Sequence, residues 1–261
     1  MRLDLLLVRR GLCSGRERAK EEIRSGHVLA DGVPETRPSR DLPEDTPLFL
    51  VGETLRYVSR GGLKLEKALD TFVVKAEGRI CADCGASTGG FTDCLLQHGA
   101  LRVYALDVGR GQLSEKLRTD PRVVSMESFN VRELQPGDLL ETPSLAVIDV
   151  SFISLRLILP PVSRVLSPDG EIICLIKPQF EAGRARIGKK GVVRDPAVHC
   201  QVLEELFLFF PTLGLYPYGL SWSPIRGPEG NIEYLCHLRR EPAASQPEPR
   251  RVVEEAHDSL K

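Results

Sequence analysis

From residue 79 to residue 238, short apolar runs alternate with longer amphipathic stretches. Runs such as Leu145-Ala146-Val147-Ile148 and Ile172-Ile173-Cys174-Leu175-Ile176 are unbroken by polar residues, the pattern of strands buried on both faces. Strands are expected at 79–83, 102–107, 123–126, 145–150, 171–176, 214–221 and 233–238, with helices at 92–98, 155–166 and 195–209. Strand and helix in alternation predict an α/β fold: a doubly wound, Rossmann-like and largely parallel sheet.

The first 58 residues follow another pattern. Leu3, Leu6 and Leu7 have helical spacing, and Ser14-Gly15-Arg16-Glu17 reads as a capping box. A helix is expected at 15–25, with Ala19 and Ile23 facing inward and Gly26 ending it. His27-Val28-Leu29-Ala30, an Asp31-Gly32 turn and Leu48-Phe49-Leu50-Val51 suggest short strands with a hairpin. Three regions follow: a small α+β domain at 1–58, the α/β domain at 59–240, and a tail at 241–261. The tail is rich in Pro, Glu, Ser and Ala and is expected to be mostly disordered, with a short helix at its end.

One strand-turn-helix junction carries chemistry. Asp83-Cys84-Gly85-Ala86-Ser87-Thr88-Gly89-Gly90-Phe91 joins an apolar run to a helix start, the setting of a nucleotide-like ligand. The dinucleotide fingerprint requires glycine at its third position, where this turn has Ser87, so a pyrophosphate is disfavoured. Asp107 ends the next strand and can take both hydroxyls of a ribose. Adenosine without a diphosphate, beside an early carboxylate, suits S-adenosylmethionine. Asp83 would then order the turn or face the methionine ammonium. The rival reading is a βα turn with no ligand.

In open α/β sheets, ligands sit beyond the carboxyl ends of the strands. Asp149 and Lys177 end two unbroken apolar runs, and Glu233 begins the last strand. If that strand is antiparallel, its start lies at the same edge. Lys64 lies just where the small domain ends. Buried charges need partners or a use, and four charges of alternating sign at one edge point to a site.

Composition narrows the class. The net charge of −1 and hydrophobic content of 42% are ordinary for a globular protein. The charge is uneven, however. Residues 1–30 hold seven basic residues (Arg2, Arg9, Arg10, Arg16, Arg18, Lys20, Arg24) against four acids (Asp4, Glu17, Glu21, Glu22). Arg16, Lys20 and Arg24 make a stripe along the second helix, so a near-neutral chain has a basic face. The first apolar run is short for a signal peptide, and Asp4 interrupts it, so a cytoplasmic protein is expected. Seven scattered cysteines read as reduced core residues, and no second pair completes a zinc site with Cys81 and Cys84.

The N-terminal order of helix, capped helix, strand, turn and strand resembles the RNA-binding domain named for ribosomal protein S4. Its core is Ser14 through Val28. Six further motifs make the whole chain resemble the TlyA family of bacterial rRNA 2′-O-methyltransferases, also called haemolysin A. They are Tyr57-Val58-Ser59-Arg60-Gly61-Gly62-Leu63-Lys64-Leu65, Gly85-Ala86-Ser87-Thr88-Gly89-Gly90-Phe91-Thr92-Asp93, Ile148-Asp149-Val150-Ser151-Phe152-Ile153-Ser154-Leu155, Lys177-Pro178-Gln179-Phe180-Glu181, Gly191-Val192-Val193-Arg194-Asp195 and Gly230-Asn231-Ile232-Glu233. The resemblance covers 2–239 and implies an FtsJ-like fold. It also implies transfer of a methyl group from S-adenosylmethionine to a cytidine 2′-oxygen in ribosomal RNA, without a metal.

By motif, the family's catalytic tetrad falls on Lys64, Asp149, Lys177 and Glu233, with Lys177 as base. The cofactor set becomes Asp83, Gly85, Ser87, Thr88, Gly89, Gly90, Phe91, Asp107 and Asn130, the last near the adenine. RNA contacts are expected from Arg2, Arg16, Arg18, Lys20, Arg24 and Arg60, and from a loop carrying Arg184, Arg186, Lys189 and Lys190. The partner is a ribosomal subunit or its RNA. Cys84 replaces a usual aliphatic, and Arg110 a common aromatic; both leave the tetrad intact. Two rivals are an RNA-binding protein with an inactive methyltransferase domain and a membrane-lysing protein.

Overall fold

The computed structural model describes residues 1–13, 15–50, 56–188, 191–227 and 230–260. They divide into two compact units, Met1–Ser59 and Arg60–Lys261.

The first unit holds α1 (Leu3–Arg9), α2 (Arg16–Arg24), β1 (Val28–Ala30), β2 (Val33–Pro34) and β3 (Leu48–Leu50). The strands form an antiparallel sheet in the order β2-β1-β3. Leu3, Leu6 and Leu7 share a core with Ala19, Ile23, Val28, Ala30 and Leu48. Gly15 stands at the N-cap of α2. Ser14 of the expected capping box, and Val51 at the end of the third expected strand, lie outside the described residues.

The second unit begins with α3 (Gly61–Phe72), β4 (Ile80–Cys84), α4 (Gly90–Gln97), β5 (Arg102–Leu106), α5 (Glu115–Arg118) and β6 (Val123–Met126). It continues with β7 (Leu145–Ile148), α6 (Leu155–Val165), β8 (Glu171–Ile176), α7 (Pro178–Glu181), α8 (Pro196–Phe209), β9 (Tyr216–Trp222), β10 (Tyr234–Arg239) and α9 (Pro249–Ser259). The seven strands lie in the order β6-β5-β4-β7-β8-β10-β9. Pairing is parallel from β6 to β8, and β10 runs antiparallel to both its neighbours. This is the doubly wound sheet expected from the apolar runs.

The strand order reverses direction between β4 and β7, the switch point at which such sheets bind ligands. β5 and β7 stop at Leu106 and Ile148, one and two residues short of the expected ends. Asp107 and Asp149 therefore stand just past the strands as loop residues. Their backbones remain tied to Met126 O and Cys84 O.

The tail does end in a helix, but that helix is packed into the core rather than set in a disordered segment. Residues 249–259 form α9, whose Val252, Val253 and Ala256 are buried in the main core. Their i, i+1, i+4 spacing is an apolar helical stripe. The surrounding Pro, Glu and Ser obscured it, because composition averages over a pattern that burial reads position by position.

Candidate active site

The glycine turn is pressed against the end of β7. Gly85 has φ +89°, and a Cβ there would lie 2.8 Å from Asp149 O, so no larger residue fits without moving backbone. Ser87 takes the left-handed conformation, φ +49°, in a non-glycine residue. Its N–H donates to Asp107 Oδ2 at 2.8 Å, and Gly109 N–H donates to Asp107 Oδ1 at 2.7 Å. One carboxylate thus holds two loops. Beside it is a shallow cleft whose lining includes Ser87, Asp107, Gly109, Gln112 and Glu127.

Asp83 is completely buried and accepts a 2.6 Å hydrogen bond from Thr92 Oγ1, tying β4 to α4. Its Oδ1 is buried without a hydrogen-bond partner. Burial raises its pKa to about 7, against the Thr92 bond. Of the two roles left open for Asp83, this geometry favours ordering the turn. Thr88, Gly89, Gly90 and Phe91 carry the chain into α4. Asn130 caps a short 3₁₀ turn, accepting from Arg132 N at 3.2 Å and donating to Glu133 Oε1 at 3.0 Å. It is not among the residues lining the cleft.

Lys64, Asp149, Lys177 and Glu233 come together in a row of alternating charge. Glu233 Oε2 lies 2.6 Å from Lys64 Nζ, which is 3.8 Å from Asp149 Oδ2. Asp149 Oδ1 lies 2.6 Å from Lys177 Nζ. Register explains the convergence: antiparallel pairing sets Tyr234 opposite Ile176, so Glu233 enters the sheet where Lys177 leaves it. A Cβ on Gly227 would sit 2.6 Å from Glu233 Oε1, so the carboxylate uses the space this glycine leaves.

The charges are deeply placed. Lys64, Lys177 and Glu233 are 8%, 7% and 1% exposed. Burial acts to discharge Lys64, but Asp149 and Glu233 outweigh it and hold its pKa above the ordinary lysine value. Burial likewise opposes charge on Asp149, and the two lysines outweigh it, so its pKa is lowered.

Three neighbours escaped sequence reasoning. Lys177 Nζ donates to Ser151 Oγ at 3.0 Å and stands 5.9 Å from the Phe180 ring centroid. Phe152 packs its ring 5.1 Å from that of Phe180, yet is 90% exposed, with φ +64°. The left-handed region is a strained conformation for an aromatic residue, and strain of this kind clusters at functional sites. The available signal was position: Ser151 and Phe152 follow Asp149 in one motif.

The basic residues of the first unit are more engaged than a solvated stripe would be. Arg2 and Arg16 both bind Asp4, at 3.0 and 2.9 Å. Arg2 contributes most to lowering the Asp4 pKa to about 2, against burial and with help from Arg16. Arg18 pairs with buried Glu22 at 2.5 Å, and Lys20 pairs with Glu17. Arg24 is exposed at the end of α2. In the second unit, Arg60 precedes α3 and Arg184 is exposed. Arg186 donates to Ala182 O at 2.7 Å and lies 3.8 Å from Glu205. Lys189 and Lys190 lie outside the described residues. Among the described residues, no helix is long and apolar enough to cross a membrane.

The FtsJ-like methyltransferase family model matches residues 57–240, and the S4 domain model matches residues 1–46. A Mycobacterium tuberculosis protein, the 16S/23S rRNA (cytidine-2′-O)-methyltransferase TlyA, is 44% identical over 91% of this chain and 89% of its own. The chain belongs to the TlyA family of FtsJ-like methyltransferases. It is thus the family expected from the motifs. A Bacillus subtilis member, YqxC, named as a candidate rRNA methyltransferase, is 51% identical over all of this chain and 95% of its own. Haemolysin A of Brachyspira hyodysenteriae is 44% identical over 91% of this chain and 99% of its own. Among solved structures, a chain from Streptococcus thermophilus described as a haemolysin superposes with TM-score 0.82. It shares 47% identity, covering all of this chain and 96% of that one.

Proposed function

We propose that this TlyA-family enzyme methylates the 2′-hydroxyl of a cytidine ribose in ribosomal RNA, with S-adenosylmethionine as donor. The observation that carries the reading is the Glu233–Lys64–Asp149–Lys177 row beside the glycine turn. The names of the Mycobacterium tuberculosis and Campylobacter jejuni relatives, both rRNA (cytidine-2′-O)-methyltransferases, support the substrate.

The residues present fit the cofactor. Asp107 spends one bond per oxygen on the turns, which leaves lone pairs for ribose hydroxyls. The tight turn at 85–90 would cradle the rest, with Gln112 at the cleft wall. When bound, S-adenosylmethionine supplies an electrophilic methyl on a sulfonium.

A ribose hydroxyl is a very weak acid, so its proton must leave as the oxygen attacks. Lys177 in its neutral form accepts that proton. Lys64 is held as an ammonium by Asp149 and Glu233. Asp149 pairs with both lysines, and its work is to orient them. In-line displacement depends on alignment, which a row fixed by three ion pairs supplies. Phe152 offers an exposed ring on which an unstacked base can rest. The arginines of the first unit, with Arg184 and Arg186, would contact phosphates, giving affinity rather than sequence choice. A ribosomal substrate implies a cytoplasmic enzyme.

The test is labelled-methyl transfer to purified ribosomal subunits by the full chain and by Lys177→Ala. The reading expects transfer by the former and its loss in the latter, with cofactor affinity retained. Equal transfer by both would reject Lys177 as the base.

A further inference from the structure

Glu233 stands just outside the sheet. β10 begins at Tyr234, so residues 230–233 have no ladder bonds to β8, yet the Glu233 carboxylate must sit 2.6 Å from Lys64. Something else must fix this approach.

Two side chains flanking Glu233 are tied to the same short stretch, residues 191–193: Asn231 directly, and Tyr234 through His199. Asn231, 5% exposed, accepts from Val193 N at 3.1 Å through Oδ1 and donates to Gly191 O at 3.1 Å through Nδ2. The Tyr234 hydroxyl lies 2.7 Å from His199 Nδ1, and His199 Nε2 lies 2.9 Å from Val193 O. A carbonyl only accepts, so Nε2 carries the proton and Nδ1 accepts from the tyrosine. Burial keeps this imidazole neutral, lowering its pKa to about 4. The main chain completes the arrangement: Gly227 N donates to Asn231 O at 2.9 Å, and Ser223 N to Glu233 O at 2.8 Å.

The chemistry of Asn231 is specific. It needs one donor and one acceptor on the same planar group. Aspartate lacks the donor, and an apolar residue leaves two backbone groups unpaired.

We propose that Asn231 and Tyr234 are positioning residues, which brace Glu233 against residues 191–193 and so set its approach to Lys64. The stretch they grip closes the segment that leaves the sheet at Lys177, so the brace links the chain beside one tetrad member to the chain bearing another. This rests on the reading of Glu233 as part of the methyl-transfer site.

The test compares full-chain Asn231→Ala, Glu233→Gln and the double variant. Readouts are kcat, KM for ribosomal subunits, cofactor affinity, and unfolding followed by Trp222 fluorescence. Asn231→Ala is expected to lower kcat about 10- to 100-fold, with KM and cofactor affinity nearly unchanged. In the Glu233→Gln background it is expected to cost nothing further, because both changes remove one effect. An unchanged kcat, or a loss that multiplies with that of Glu233→Gln, would overturn the proposal and leave the proposed function standing. A Glu233→Gln enzyme with full kcat would overturn the proposal together with the reading of Glu233 as part of the methyl-transfer site. Tyr234→Phe, which removes one hydroxyl from the same brace, goes through the same cycle with the same deciding outcomes, and replaces the alanine variant if that chain does not fold.

Discussion

Asp149 Oδ1 lies 2.6 Å from Lys177 Nζ, joining the tips of two adjacent parallel strands, β7 and β8. The same carboxylate faces Lys64 from its other oxygen. Removing its charge leaves two largely buried ammonium groups on either side of a neutral amide. Asp149→Asn should therefore destabilise the second unit by about 3 kcal/mol, the cost typical of breaking a buried pair. It should also abolish methyl transfer. Urea unfolding followed at Trp222, the chain's single tryptophan and a residue of β9, measures the first effect. A variant as stable as the parent would mean that the lysines do not depend on this carboxylate.

Asp83 links folding to pH in a definite direction. Its folded pKa, about 7, is above its ordinary 3.8, so between these values the native state holds the proton more tightly than the unfolded chain. Stability from this group is therefore greatest below about 3.8 and is lost as pH rises towards 7. Asp83→Asn, which cannot ionise, should gain stability relative to the parent across that window, by on the order of 4 kcal/mol in total. Parallel stability curves from pH 4 to 7.5 would show that Asp83 titrates normally.

Most of the second unit was legible because its strands are buried on both faces. Such strands read as unbroken apolar runs, and the charges at their tips stand out against them. Asp149 and Lys177 were visible for that reason, and Glu233 became so once the last strand was taken as antiparallel. Partners from distant elements were harder to see. Ser151 meets Lys177 across 26 residues and Tyr234 meets His199 across 35, separations that no local pattern encodes. In the first unit the arginines were seen, but the buried acids Asp4 and Glu22 that hold them were read only as charges offsetting a basic face.

Phe152 projects into solvent beside Phe180, in a backbone conformation unfavourable for an aromatic residue. If its ring supports the target base, Phe152→Ala should weaken RNA use by roughly 1–3 kcal/mol, the range for a base-aromatic stack. The fold should be unharmed, since little of the ring is buried. Steady-state kinetics with ribosomal subunits, together with a melting curve, checks both. Unchanged kcat/KM would exclude a stacking role.

The C-terminal helix belongs to the core of the second unit. Val253 is completely buried there, and Val253→Ala removes two methyl groups from a packed site. A loss of about 2 kcal/mol is expected. Trp222 fluorescence during denaturation measures it, and no loss would mean that α9 docks too weakly to contribute.

The central claim is that the methyl group goes to a ribose oxygen. A 2′-O-methyl blocks the attack by which alkali cleaves the following phosphodiester. RNA labelled by the full chain with methyl-labelled S-adenosylmethionine can therefore be digested in alkali and its products sized. The account predicts label in alkali-resistant dinucleotides, lost with Lys177→Ala. Label in mononucleotides would place the methyl on a base and contradict it.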